Sequence, residues 1–169
     1  MDGIHQIRWT ACFGFGGRHA PDSLVAFDRI TQSKNGERKQ IDASFGIGNT
    51  LIIVECKAVG MSIGFNRGDP TSIRYRNERI DSALADIDEK ARWLANNPIG
   101  TNYDISSFSA IVPLVVTPFV EYIPSIHSRN WLKDEMPRVL SPREFKQALE
   151  NNEFANIVNN IVTIKQKQG

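Results

Sequence analysis

Cysteine is scarce: Cys12 and Cys56 are the two in 169 residues, far apart in an ordinary, moderately polar composition. That excludes a disulfide scaffold and reads as the reducing cytoplasm, with each thiol expected to be a small buried hydrophobe. Net charge is almost nil, at +1. The chain is therefore not a polycation of the kind that binds nucleic acid through bulk charge, and any such site must be local. Long apolar runs are missing as well. The longest, Phe108 to Pro124, is interrupted by Pro113 and Pro118 and falls short of the roughly 20 residues a membrane-crossing helix needs. A core strand is expected there, and no membrane association. Arg8 precedes Trp9 to Phe15, but glycines intervene and no small-residue cleavage site follows, so no signal peptide is expected. Repeats, low-complexity tracts and linkers are absent too. One cytoplasmic domain over 1–169 is expected, a size that buries roughly 70% of the unfolded surface.

What is present begins with strands. Leu24 to Lys57 has strand-like patterning with two turn signals, Asn35-Gly36 and Gly48-Asn49. Strands are expected at about 24–32, 38–47 and 50–58, forming an antiparallel meander. Ile80, Leu84, Ile87, Ala91 and Leu94 then fall on one helical face, predicting a helix of about twenty residues. Asn96-Asn97-Pro98 ends it, because the residue before proline avoids helical dihedrals. Phe108 to Thr117, rich in Ile and Val, reads as a buried strand. Ser141-Pro142-Arg143-Glu144 is a capping box with proline at the first helical position, announcing a helix through about Asn151. Phe154, Ile157, Val158, Ile161 and Ile164 continue with helical spacing, although their β-branched run also suits a strand. The expected class is α/β: a mixed central sheet with a long helix and a further core strand, covered by helices.

The chemistry-bearing stretch is Arg38-Lys39-Gln40-Ile41-Asp42, then the Gly48-Asn49 turn, then Leu51-Ile52-Ile53-Val54-Glu55-Cys56-Lys57. With a two-residue hairpin loop at Gly48-Asn49, Ile47 pairs with Thr50, Asp42 lies opposite Glu55, and Gln40 lies opposite Lys57. Opposed side chains share a face about 5 Å apart, and like charges there are destabilising, so a cation should sit between them. Two carboxylates on a rigid sheet suit Mg²⁺, which often takes one or two carboxylates plus water and phosphate. Lys57 shares the face of Glu55, while the Cys56 side chain points away and its backbone carbonyl offers a third oxygen. A metal so held lowers the pKa of a bound water and stabilises a phosphoryl group, and a nearby ammonium positions that water or neutralises charge.

Ile-Asp, a hairpin, and an apolar strand closing in Glu-x-Lys resemble the PD-(D/E)XK, or restriction-endonuclease-like, superfamily. The helix and apolar strand that follow also match its core. The resemblance covers about residues 24–117, leaving 118–169 as a C-terminal helical elaboration. It implies that Asp42 and Glu55 are metal ligands and Lys57 the catalytic lysine of a Mg²⁺-dependent nuclease, with Mn²⁺ as a substitute. DNA is the expected partner, cut by a restriction or repair type endonuclease. A homodimer or a larger multi-component system would suit a domain this small. Two departures stand out. No glutamate precedes Glu37, so the acidic residue often found on the superfamily's opening helix has no counterpart beyond Asp2, Asp22 or Asp28. Ile41 also stands where proline usually precedes the aspartate. A non-catalytic module that keeps the fold and binds nucleic acid or protein is the alternative.

Arg29 is a rival partner for Asp42. If Asn35-Gly36 is also a two-residue turn, paired numbers sum to 71 and Arg29 lies opposite Asp42, as a salt bridge or a phosphate contact. From Lys57 to Arg79 five basic residues, Lys57, Arg67, Arg74, Arg76 and Arg79, face two acidic ones, Asp69 and Glu78. Arg76 and Arg79 are candidate phosphate contacts, although a solvated face explains the same charges. Phe65 to Tyr75 is expected to be a mobile loop able to close over substrate. Phe13-Gly14-Phe15-Gly16-Gly17 lacks the spacing of a phosphate loop, and His5, His19 and His127 lack metal-ligand spacing.

Overall fold

The computed structural model describes residues 30–121, 128–133, 136–157 and 159–164. Its centre is a mixed five-stranded sheet. Strands β3 (Ala43–Ile47) and β4 (Thr50–Cys56) form an antiparallel hairpin with Ile47 opposite Thr50 and Ala43 opposite Val54. Gly48 supplies the positive φ, at 54°, that this two-residue loop requires. The Asn49 carbonyl in the loop accepts from Ser109 N–H at 2.8 Å. That contact precedes β5 (Ala110–Val116), which runs parallel to β4 along its whole length.

The connection between β4 and β5 carries a short helix, α1 (Ile63–Asn66), and the long helix α2 (Pro70–Asn96). Asp69 caps α2, accepting from Ser72 N–H at 2.8 Å, with Pro70 in the first turn. Its apolar stripe packs on one face of the sheet: Ile80, Leu84, Ile87, Ala91 and Leu94 meet Leu51, Ile53, Ile111 and Val115. The even-numbered positions of β4, Ile52 and Val54, join Val112, Leu114 and Val116 on the other face. Helix α3 (Pro142–Glu150) covers that side with Phe145 and Ala148, and its Ser141–Glu144 capping box closes as expected. Phe154, on the 3₁₀ turn Glu153–Asn156, packs edge-on against Phe45.

Three expectations need correction. The strand expected over 38–47 is two strands, β2 (Arg38–Gln40) and β3, broken at Ile41–Asp42. Strand β2 pairs with β1 (Ile30–Gln32) in a separate ladder, so Gln40 lies opposite Ile30 rather than Lys57. That ladder pairs Gln32 with Arg38, one residue out of step with the expected sum of 71. The cause is a three-residue loop, Lys34-Asn35-Gly36, with Gly36 at φ 85° and Ser33 N–H bonded to the Glu37 carbonyl at 2.9 Å. Arg29 itself lies outside the described residues, as do Cys12, His5, His19, His127 and the Phe13–Gly17 run. Lastly, the carboxyl-terminal region is not wholly helical. It contributes β6 (Trp131–Lys133), β7 (Met136–Pro137), β8 (Val139–Leu140) and β9 (Val162–Thr163). Strands β9 and β8 pair with the start and end of β5, antiparallel and parallel respectively. Between them, Pro113 presents its carbonyl to the guanidinium of Arg138, at 3.3 Å from Nε.

Candidate metal centre at the end of strand β4

Alternation along β4 points Leu51, Ile53 and Glu55 toward α2. The first two are buried in the core and Glu55, at the strand's end, is still only 6% exposed. A carboxylate that deep requires compensation. Two ammoniums provide it: Lys57 Nζ lies 2.9 Å from Oε1, and Lys90, reaching across from α2, pairs with Oε2. Lys57 N–H bonds the Val116 carbonyl at 2.9 Å, so β5 fixes its backbone. Asp86, one helical turn before Lys90, stands 3.9 Å from the Lys57 ammonium. The hydrogen bond to Glu55, opposed by burial and reinforced by the charges of Glu55, Asp86 and Asp42, holds Lys57 above the ordinary lysine value. At neutral pH Lys57 is a cation and a donor, not a proton acceptor.

Asp42 sits in the break between β2 and β3. The ladder stops at Ala43 and Val54, so Asp42 meets the end of β4 through its side chain rather than as a paired residue. Its Oδ2 accepts from Cys56 N–H and its Oδ1 from Gln40 Nε2, both at 2.9 Å. Because N–H and C=O of one extended residue project from the same strand edge, the Cys56 carbonyl lies on the Asp42 side. The Cys56 side chain packs toward the opposite core, as expected. Asp42, Glu55, Lys57 and the Cys56 peptide are thus gathered at one strand end.

No family model, curated protein or solved structure matches the chain. The atoms of the site must carry the reading. Among the described residues no group of three or more His, Cys, Asp or Glu side chains is placed to hold a metal. The donor set is two carboxylates and a carbonyl, all hard oxygens, from Asp42, Glu55 and Cys56 at the end of one strand. Such a set fits Mg²⁺, which completes its shell with water and phosphate. Cationic charge already converges there, since two ammoniums meet at Glu55.

The arginine candidates separate. Arg76 is 3% exposed and bidentate to Glu121, and its Nη1 also donates to the carbonyls of Val59 at 3.1 Å and Gly60 at 2.9 Å. Its guanidinium stacks 5.0 Å over Phe65. These contacts commit Arg76 to the fold and remove it from the phosphate candidates. The mobile loop expected over 65–75 is instead the end of α1, the short turn 67–69 and the first turns of α2. Arg79 is exposed, donating to the Tyr75 hydroxyl at 3.0 Å. Tyr75 itself, 59% exposed, was not anticipated.

Neither were Lys90 and Asp86. Each immediately precedes a stripe residue, Ala91 and Ile87, so both border the apolar face of α2. Charged residues along that border were the available signal.

Proposed function

We propose that this chain is a metal-dependent nuclease that hydrolyses phosphodiester bonds, with DNA the expected substrate, on a PD-(D/E)XK, restriction-endonuclease-like domain. The observation that carries the reading is the convergence of Asp42, Glu55 and Lys57 at the end of β4, with Glu55 nearly buried. The order hairpin, helix, parallel strand, with β5 beside β4, supports the fold assignment. Asp42, Glu55 and the Cys56 carbonyl would hold Mg²⁺. When bound, such a cation supplies Lewis acidity toward a phosphoryl oxygen and acidifies water. Lys57, anchored through its backbone and charged, orients the attacking water or offsets negative charge on the phosphate. Arg79 contacts a flanking phosphate from outside the centre.

Incubation with DNA and Mg²⁺ or Mn²⁺ tests this, with RNA in a parallel arm. Cleavage that requires the metal and is lost in Lys57→Ala is the expected result. No cleavage by the wild type, or equal cleavage by Lys57→Ala, would sink it.

One observation favours a second reading, a non-catalytic module binding nucleic acid or protein: both Glu55 oxygens already have ammonium partners. Mn²⁺ binding that Asp42→Ala abolishes favours the nuclease; nucleic-acid binding without any metal affinity favours the module.

A further inference from the structure

Glu55 carries one charge and holds two ammoniums. Lys57 alone would neutralise it. Lys57 belongs to the strand end that carries Glu55, with its backbone bonded to β5. Lys90 comes from a different element, with 17% of its side chain exposed, on a flexible stem that ends in a compact, well-hydrated charge. A divalent cation and an ammonium cannot share Oε2, because like charges at bonding distance repel. Lys90 also has somewhere to go. Asp86, four residues before it on α2 and half exposed, is its neighbour on the helix surface.

We infer that Lys90 is a placeholder cation: it holds Glu55 Oε2 in the metal-free protein, yields that oxygen to a divalent cation, and so sets the metal affinity of the site. The inference rests on the metal-site reading above. Asp42, Glu55 and Asp86 against Lys57 and Lys90 give three negative charges and two positive. Retreat of Lys90 to Asp86 leaves Glu55 oriented by Lys57 alone, with Oε2 open. Lys90 is thus a positioning residue that keeps the buried carboxylate compensated until metal arrives.

The test is Mn²⁺ binding by calorimetry to wild type and Lys90→Met. The variant should bind about tenfold more tightly, the order expected for removing one unit charge beside a divalent cation in a water-like dielectric. A purely structural Lys90 would give weaker binding or none. A second measurement needs no variant: reductive methylation of wild-type lysines read by mass spectrometry. Lys90 should react faster with saturating Mn²⁺, while Lys146, paired with Glu150 on α3, should not change. Equal or weaker Mn²⁺ binding by Lys90→Met, or unaltered Lys90 methylation, overturns the inference. An absence of Mn²⁺ binding in wild type would instead remove the underlying metal site. Binding that Asp42→Ala abolishes and Lys90→Met leaves unchanged removes only the placeholder.

Discussion

Helix α2 holds ion pairs of two kinds, and they behave oppositely. At Arg76 and at Asp88 the partner set is an arginine fork: Arg76 with Glu121 and two carbonyls, and Arg138 with Asp88 and the carbonyls of Pro113 and Arg129. Arg138 is 0% exposed and Arg76 3%, and both guanidiniums are engaged from several directions. At Lys90 the partners are ammoniums on flexible stems around one carboxylate, with Lys57 a third exposed. A saturated fork has no donor to lend, so it fixes structure. Ammoniums around a carboxylate can exchange partners, which is what a site that takes up a cation requires.

The largest effect should come from cutting a fork. Arg138→Met leaves Asp88 facing a buried surface and the Pro113 carbonyl without its donor, and should cost about 3–5 kcal/mol in denaturant unfolding. A loss below about 1 kcal/mol would make the arginine fork no more structural than the ammonium pairs. Next, Lys57→Ala should lower metal-dependent DNA cleavage by about 10²–10³-fold, as loss of one preorganised donor does. Its unfolding free energy should move by less than about 1 kcal/mol, since Lys57 is a third exposed and Lys90 still compensates Glu55. An equal fall in stability would make Lys57 another structural clamp. Third, Arg79→Ala should reduce the salt dependence of DNA binding by about one phosphate contact. An unchanged slope would leave Arg79 as a solvated charge stacked on Tyr75. The smallest effect belongs to Lys39 and Glu89, a surface pair at 2.6 Å joining β2 to α2. Its hydrogen bond raises the lysine above its usual value and lowers the carboxyl. The contribution is therefore present between the two titrations. It is lost in acid as pH falls through the depressed Glu89 value, and in base as pH rises through the elevated Lys39 value. The midpoint difference between wild type and Lys39→Met should close at both extremes.

Much of this frame was legible because it is local. The Gly48-Asn49 turn fixed the pairing of β3 with β4, the apolar spacing located α2, and the Ser141–Glu144 box located α3. The Asn35-Gly36 turn misled by one residue, since two-residue and three-residue loops use the same Asn-Gly signal and differ only in where the positive φ falls. The break at Ile41–Asp42 was hidden because Ile41 is β-branched and buried, as any strand residue might be. Strands β7, β8 and β9, two residues each, are too short for alternation to register. At the site, Asp42, Glu55 and Lys57 stood out from a local pattern. Lys90 did not, because only the packing of α2 carries it across 35 positions to Glu55.

The alternation of β4 has a consequence for how the chain can change. Odd positions address α2 and the Glu55 ion pairs, and even positions address α3. A one-residue insertion or deletion that shifted the pairing of β4 would exchange the two addresses along the strand. Glu55 would be driven toward Phe45 and Phe145, Cys56 would be delivered to Lys90, and Ile52 and Ile53 would swap cores. The length of the Gly48-Asn49 loop should therefore tolerate less variation than its composition, and sequence drift in this hairpin should proceed by replacement rather than by insertion.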